Sequence, residues 1–66
     1  MDTNEEGKIE LLTVREVAKV LLVSESHIRD LQHARQLPYI KVGGAIRFEK
    51  QDILDYIKRR KTADMF

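Results

Sequence analysis

Leu11-Leu12-Thr13-Val14-Arg15-Glu16-Val17-Ala18-Lys19-Val20-Leu21-Leu22-Val23-Ser24-Glu25-Ser26-His27-Ile28 is the stretch that decides the fold, because two helix-start signals lie close together within it. Thr13 followed by Glu16 reads as a capping box: the Thr hydroxyl accepts the N3 amide while Glu16 reaches back to the N-cap amide. Leu12 and Val17 take the N′ and N4 positions of a hydrophobic staple around it. Val14, Val17, Ala18 and Leu21 then recur at i, i+3, i+4 and i+7, which predicts an amphipathic helix over 14–21 with Arg15 and Lys19 on its outer face. Leu22-Val23 is the turn, and Ser24 caps a second helix, with Val23 and Ile28 repeating the staple. In that helix Ile28 and Leu31 face the core. Glu25, Ser26, His27, Arg29, Asp30 and His33 are left pointing outward, so most of its girth is exposed.

Outward from this pair, Leu37-Pro38 stops the second helix, since proline disfavours the helical conformation in the residue before it. Tyr39-Ile40-Lys41-Val42 and Ile46-Arg47-Phe48 flank Gly43-Gly44 and predict a hairpin. A two-residue Gly43-Gly44 loop would pair Val42 with Ala45 and Lys41 with Ile46, mixing the faces. A three-residue Gly43-Gly44-Ala45 loop pairs Val42 with Ile46 and Ile40 with Phe48 and keeps one face apolar, so the longer loop is expected. It makes Lys41 and Arg47 direct cross-strand neighbours, where like charges destabilise a pair unless an anion such as phosphate lies against them. Tyr39 is expected to pack on the last helix. That helix runs from about Lys50 to Lys61, with Ile53, Leu54 and Ile57 as its buried stripe. Asp52 near its start and Lys58, Arg59, Arg60 and Lys61 at its end complement the helix dipole.

Size and composition bound the function. Sixty-six residues make one small domain with little core, and the 35% charged, 42% hydrophobic composition is that of a globular chain. There is no cysteine, and His27 and His33 lie six residues apart, so neither a disulfide framework nor an i, i+4 histidine metal site is available. No catalytic constellation can be assembled in so small a core, and no cofactor is expected. No run approaches a membrane span, and the acidic start lacks an apolar signal core, so a cytoplasmic protein is expected. The net charge of +1 hides a partition. Residues 1–10 hold four acidic residues against Lys8, a net of −3, whereas residues 11–61 hold eleven Lys/Arg against six Asp/Glu, a net of +5. The expected organisation is a disordered acidic leader at 1–10, a folded domain at 11–61 and a frayed tail at 62–66.

The residues Leu11-Leu12-Thr13-Val14-Arg15-Glu16-Val17-Ala18, Val23-Ser24, Ile28-Arg29, Leu37-Pro38, Val42-Gly43-Gly44 and Asp52-Ile53, in that order and spacing, resemble the excisionase-type helix-turn-helix domain. That family lies within the wider MerR-like winged-helix group. The resemblance covers about residues 11–61. It implies a mainly α fold with a small β-hairpin: three short helices and a two-stranded wing, with Leu11-Leu12 able to add a short strand.

As partners the resemblance implies double-stranded DNA, an integrase or recombinase of a mobile element, and cooperative self-association on DNA, with no catalytic residues. Carried over residue by residue, Ser26, His27, Arg29, Asp30 and His33 form the major-groove face. Lys41, Gly43, Gly44 and Arg47 form the wing contact, and Arg15 clamps the flanking backbone. Leu22 and Arg35 stand where the family usually has glycine, and a left-handed residue there costs of order 1 kcal/mol. A reshaped turn or a longer second helix is therefore expected. Ala45 replaces a usual wing-tip cation and Glu49 a usual proline. A small transcriptional regulator would use the same surface. A winged helix recruiting a protein partner is the alternative of a different class, favoured by Glu25 and Asp30 on the reading face.

Overall fold

A computed structural model describes residues 9–63 of the chain. The elements run β1 (Leu11–Leu12), α1 (Val14–Leu21), α2 (Glu25–His33), β2 (Ile40–Val42), β3 (Ala45–Glu49) and α3 (Lys50–Ala63). This is the expected winged helix-turn-helix: three helices and a β2–β3 wing, with β1 joining to give one antiparallel sheet in the order β1-β3-β2.

Both helix starts form as local chemistry dictates. The Thr13 hydroxyl accepts the Glu16 amide at 3.1 Å, and Glu16 Oε1 accepts the Thr13 amide at 2.9 Å, completing the box. The Ser24 hydroxyl accepts the His27 amide at 3.1 Å. Both helix ends close in the same way, and here the expectation is corrected. Leu22 (φ 58°) and Arg35 (φ 60°) each adopt the left-handed conformation despite their side chains, and α2 is not extended beyond His33. The reason lies in the hydrogen bonds this conformation completes. After α1, the Val23 amide donates to the Ala18 carbonyl at 3.0 Å and the Leu22 amide to Lys19 at 3.3 Å. After α2, the Gln36 amide donates to Leu31 at 2.9 Å and the Arg35 amide to Gln32 at 3.1 Å. Each is a Schellman motif that satisfies carbonyls otherwise left open at the helix end.

Val17, Ala18, Ile28, Leu37, Phe48, Ile53 and Tyr56 form the buried core, with Leu12, Val14, Leu21, Leu31, Ile46 and Ile57 packed around it. α1 and α2 thus meet through Val17, Ala18 and Ile28, and Phe48 on the middle strand anchors the sheet beneath them. In α3 the buried stripe is Ile53, Tyr56 and Ile57. Leu54 is 43% exposed, contrary to expectation, because it lies one helical step off the Ile53/Tyr56/Ile57 seam. Among the described residues no polar or charged side chain is buried, so every candidate functional group sits on the surface.

The wing register is the second correction. Ile40 pairs with Arg47, Lys41 with Ile46 and Val42 with Ala45, so the loop is the two-residue Gly43-Gly44. Gly43 has φ +63° and Gly44 is not left-handed, the dihedral pattern of a type II′ turn, which matches the natural twist of a hairpin. A longer loop would be favoured only if β2 buried one face. All three β2 residues are exposed, so no burial energy favours that register and the turn decides it.

The ends also differ from expectation. Glu10 belongs to the folded body: its carbonyl accepts the Lys50 amide at 2.9 Å, and its carboxylate lies 3.1 Å from Lys50 Nζ. Helix α3 continues two residues past Lys61, to Ala63. Residues 1–8 of the expected leader and 64–66 of the expected tail, Met65 and Phe66 included, lie outside the described residues.

Candidate nucleic-acid interface

Helix α2 buries Ile28, half-buries Leu31 and Gln32, and leaves its other six residues exposed. At about 100° per residue, Ser26, Asp30 and His33 fall at i, i+4 and i+7 on the side opposite Ile28. Arg29 and Glu25 lie along one flank and His27 along the other. All five residues expected to read the major groove are exposed on this helix, and the core contact with α1 leaves their face free. Such a face, about 10–12 Å across with its side chains, is of a size to enter the major groove of B-DNA.

On α2 the Arg29 guanidinium pairs with Glu25 and not with the adjacent Asp30: Arg29 Nη2 lies 3.8 Å from Glu25 Oε1, one helical turn away. Both side chains are about half exposed, so the pair is worth only a few tenths of a kcal/mol and yields readily to a stronger anion. Asp30 itself makes no side-chain hydrogen bond or ion pair among the described residues.

The flanks supply cations. Arg15 and Lys19 are exposed one turn apart on α1. Lys41 is exposed on β2, and Gly43 and Gly44 form an open wing tip where an added Cβ would meet nothing within 4 Å. Arg47 is not brought to Lys41. The two-residue turn places it on the opposite face of the sheet, paired with Ile40, where its Nη1 donates to the Ile46 carbonyl at 2.9 Å. The like-charge clash, and the demand for phosphate built on it, are therefore absent. Arg47 remains partly exposed, so its guanidinium can still turn outward.

Tyr39 also departs from expectation. It is 46% exposed and lines a surface cleft with Arg35, Leu37 and Pro38, because Leu37 fills the core position next to it and Tyr56 is the aromatic that packs from α3. That cleft adds Arg35 to the residues expected at the site. Arg35 is an exposed cation immediately beyond α2, and its proximity in sequence to His33 was the available signal. On α3, Arg60 stacks over the Tyr56 ring with its guanidinium carbon 5.5 Å from the centroid, so at least one cation of the terminal run has a structural role.

Among the described residues no group of three or more His, Asp or Glu comes together as a metal site, and no helix is long and apolar enough to cross a membrane. No curated protein and no solved structure matches the chain. The family model of the helix-turn-helix domain does match, over residues 11–61, which is the whole described fold from β1 to the last turns of α3; the chain belongs to the helix-turn-helix domain family.

Proposed function

We propose that the protein binds double-stranded DNA sequence-specifically, with α2 in the major groove and the wing along the adjacent backbone. The observation that carries this reading is the exposure of Glu25, Ser26, His27, Arg29, Asp30 and His33 on α2, which meets the core only through Ile28 and the half-buried Leu31, together with exposed cations on α1, at Arg35 and on the wing. A helix so little used for stability is available for recognition. Arg15, Lys19, Arg35 and Lys41 supply sequence-independent phosphate contacts, while Ser26, His27, Arg29, Asp30 and His33 meet base edges. The Ser24-capped start of α2 offers backbone amides to a phosphate as well.

Within this function, the role as an excisionase or recombination directionality factor that steers an integrase is supported by the sequence resemblance. A transcriptional regulator would use the same surface. A protein-interaction module is favoured by one observation: Leu11, Ile40 and Val42 leave apolar surface exposed on the outer face of the sheet, around Arg47.

Titration with a duplex, followed by amide NMR shifts, separates these readings. The DNA reading predicts shifts concentrated in residues 24–35 and 41–47. Shifts absent from α2 at saturating duplex would defeat it. Addition of a cognate integrase to the complex then tests the recombination role through the ratio of excision to integration products.

A further inference from the structure

The reading helix is not cationic. Counting Arg, Asp and Glu, α2 carries a net charge of −1, and its one arginine already lies beside Glu25. Asp30 stands in the middle of the outward stripe, between Ser26 and His33, with no side-chain partner among the described residues. A carboxylate so placed is repelled by phosphates and makes no hydrogen bond or ion pair within the described residues that would hold it for the sake of the fold. In a groove that repulsion is offset where the carboxylate accepts a hydrogen bond from a base.

The major groove offers few donors. Guanine presents the O6 and N7 acceptors and thymine the O4 acceptor, all of which repel a carboxylate. Adenine offers its N6 amino group, but with the N7 acceptor beside it. Cytosine offers its N4 amino group with no neighbouring acceptor on its own edge. We propose that Asp30 is a specificity-determining residue that accepts from cytosine N4, and that its charge suppresses binding to duplexes lacking a cytosine at that position. Affinity then comes from the flanking cations and discrimination from α2. This rests on the DNA-binding reading above and adds to it the identity of one base.

The test is selection of duplexes from a library with a randomised centre, using the full chain as wild type, Asp30→Asn and Asp30→Ala. Kd values for the selected and the unselected duplexes are then measured by fluorescence anisotropy. The wild type is expected to fix a cytosine at one position and to lose about tenfold in affinity when that base pair is changed. Asp30→Asn is expected to shift the preference there to adenine, which asparagine reads through N6 and N7 together. Asp30→Ala is expected to erase the preference, and both variants should bind the unselected pool several-fold more tightly than the wild type. Because Asp30 is exposed and unpaired, neither change disturbs the core. Duplex binding with the same bases selected by all three proteins would overturn the assignment of Asp30 while leaving DNA binding intact. Absence of any duplex binding by the wild type would overturn both.

Discussion

Replacing Leu22 with glycine should stabilise this protein, although it removes a large apolar side chain. Leu22 holds φ 58°, ψ 45°, a conformation that a residue with a Cβ adopts at a cost of about 1–2 kcal/mol. Glycine removes that strain. Against it stands the greater freedom of glycine in the unfolded chain, about 0.4–1 kcal/mol. The packing lost is small: Leu22 is 88% exposed, so roughly an eighth of the ~2 kcal/mol of a fully buried leucine is at stake. The balance is a gain of about 0.5 kcal/mol, or roughly 2–4 °C in Tm for a domain of this size. A glycine introduced three residues earlier should do the reverse. Lys19→Gly lies in the exposed last turn of α1 and should cost about 0.7 kcal/mol by helix propensity. Thermal melts followed by circular dichroism, with reversibility checked, would measure both. A fall in Tm for Leu22→Gly as large as that for Lys19→Gly would refute the strain argument and point to a contact made by the Leu22 side chain.

Other expectations follow from the same geometry. Gly43→Ala should lower Tm by several degrees, about 1 kcal/mol, because Gly43 is left-handed, while Gly44→Ala should be neutral or better; tolerance of Gly43→Ala would argue for a longer wing loop with the left-handed residue at Ala45. Phe48→Ala should cost about 3–5 kcal/mol, enough to unfold so small a domain, and a dispersed one-dimensional NMR spectrum of this variant at 25 °C would show that the core does not depend on it. Thr13→Ala should cost about 1 kcal/mol, and adding Glu16→Ala should cost less than the sum of the two single changes, since both serve one capping box; strict additivity in denaturant titrations would separate them.

What the sequence made legible was chemistry confined to a few neighbouring residues. The caps at Thr13 and Ser24 are side-chain to backbone bonds across three positions, and they formed as read. The exposure of Ser26, His27, Arg29, Asp30 and His33 followed from one buried residue, Ile28, on a short helix. The wing register failed because it was argued from burial that an edge strand does not provide. Leu54 and Tyr56 exchanged places because a rotation of one residue around α3 cannot be fixed without knowing which face meets β3. The left-handed residues at Leu22 and Arg35 were missed for a different reason: side-chain propensity argues against that conformation, and the carbonyls at two helix ends outweigh it. On the site itself, the partner of Arg29 and the bond from Arg47 to its own strand needed side-chain positions that no spacing encodes.

Duplex binding by the basic flank and the exposed face of α2 can be measured by anisotropy titrations of a fluorescent double-stranded DNA across a range of salt concentrations. With three to five phosphate contacts from Arg15, Lys19, Arg35, Lys41 and Arg47, log K should fall linearly with log salt at a slope of about −2.7 to −4.5. Absence of duplex binding at low salt, or binding indifferent to salt, would contradict the account.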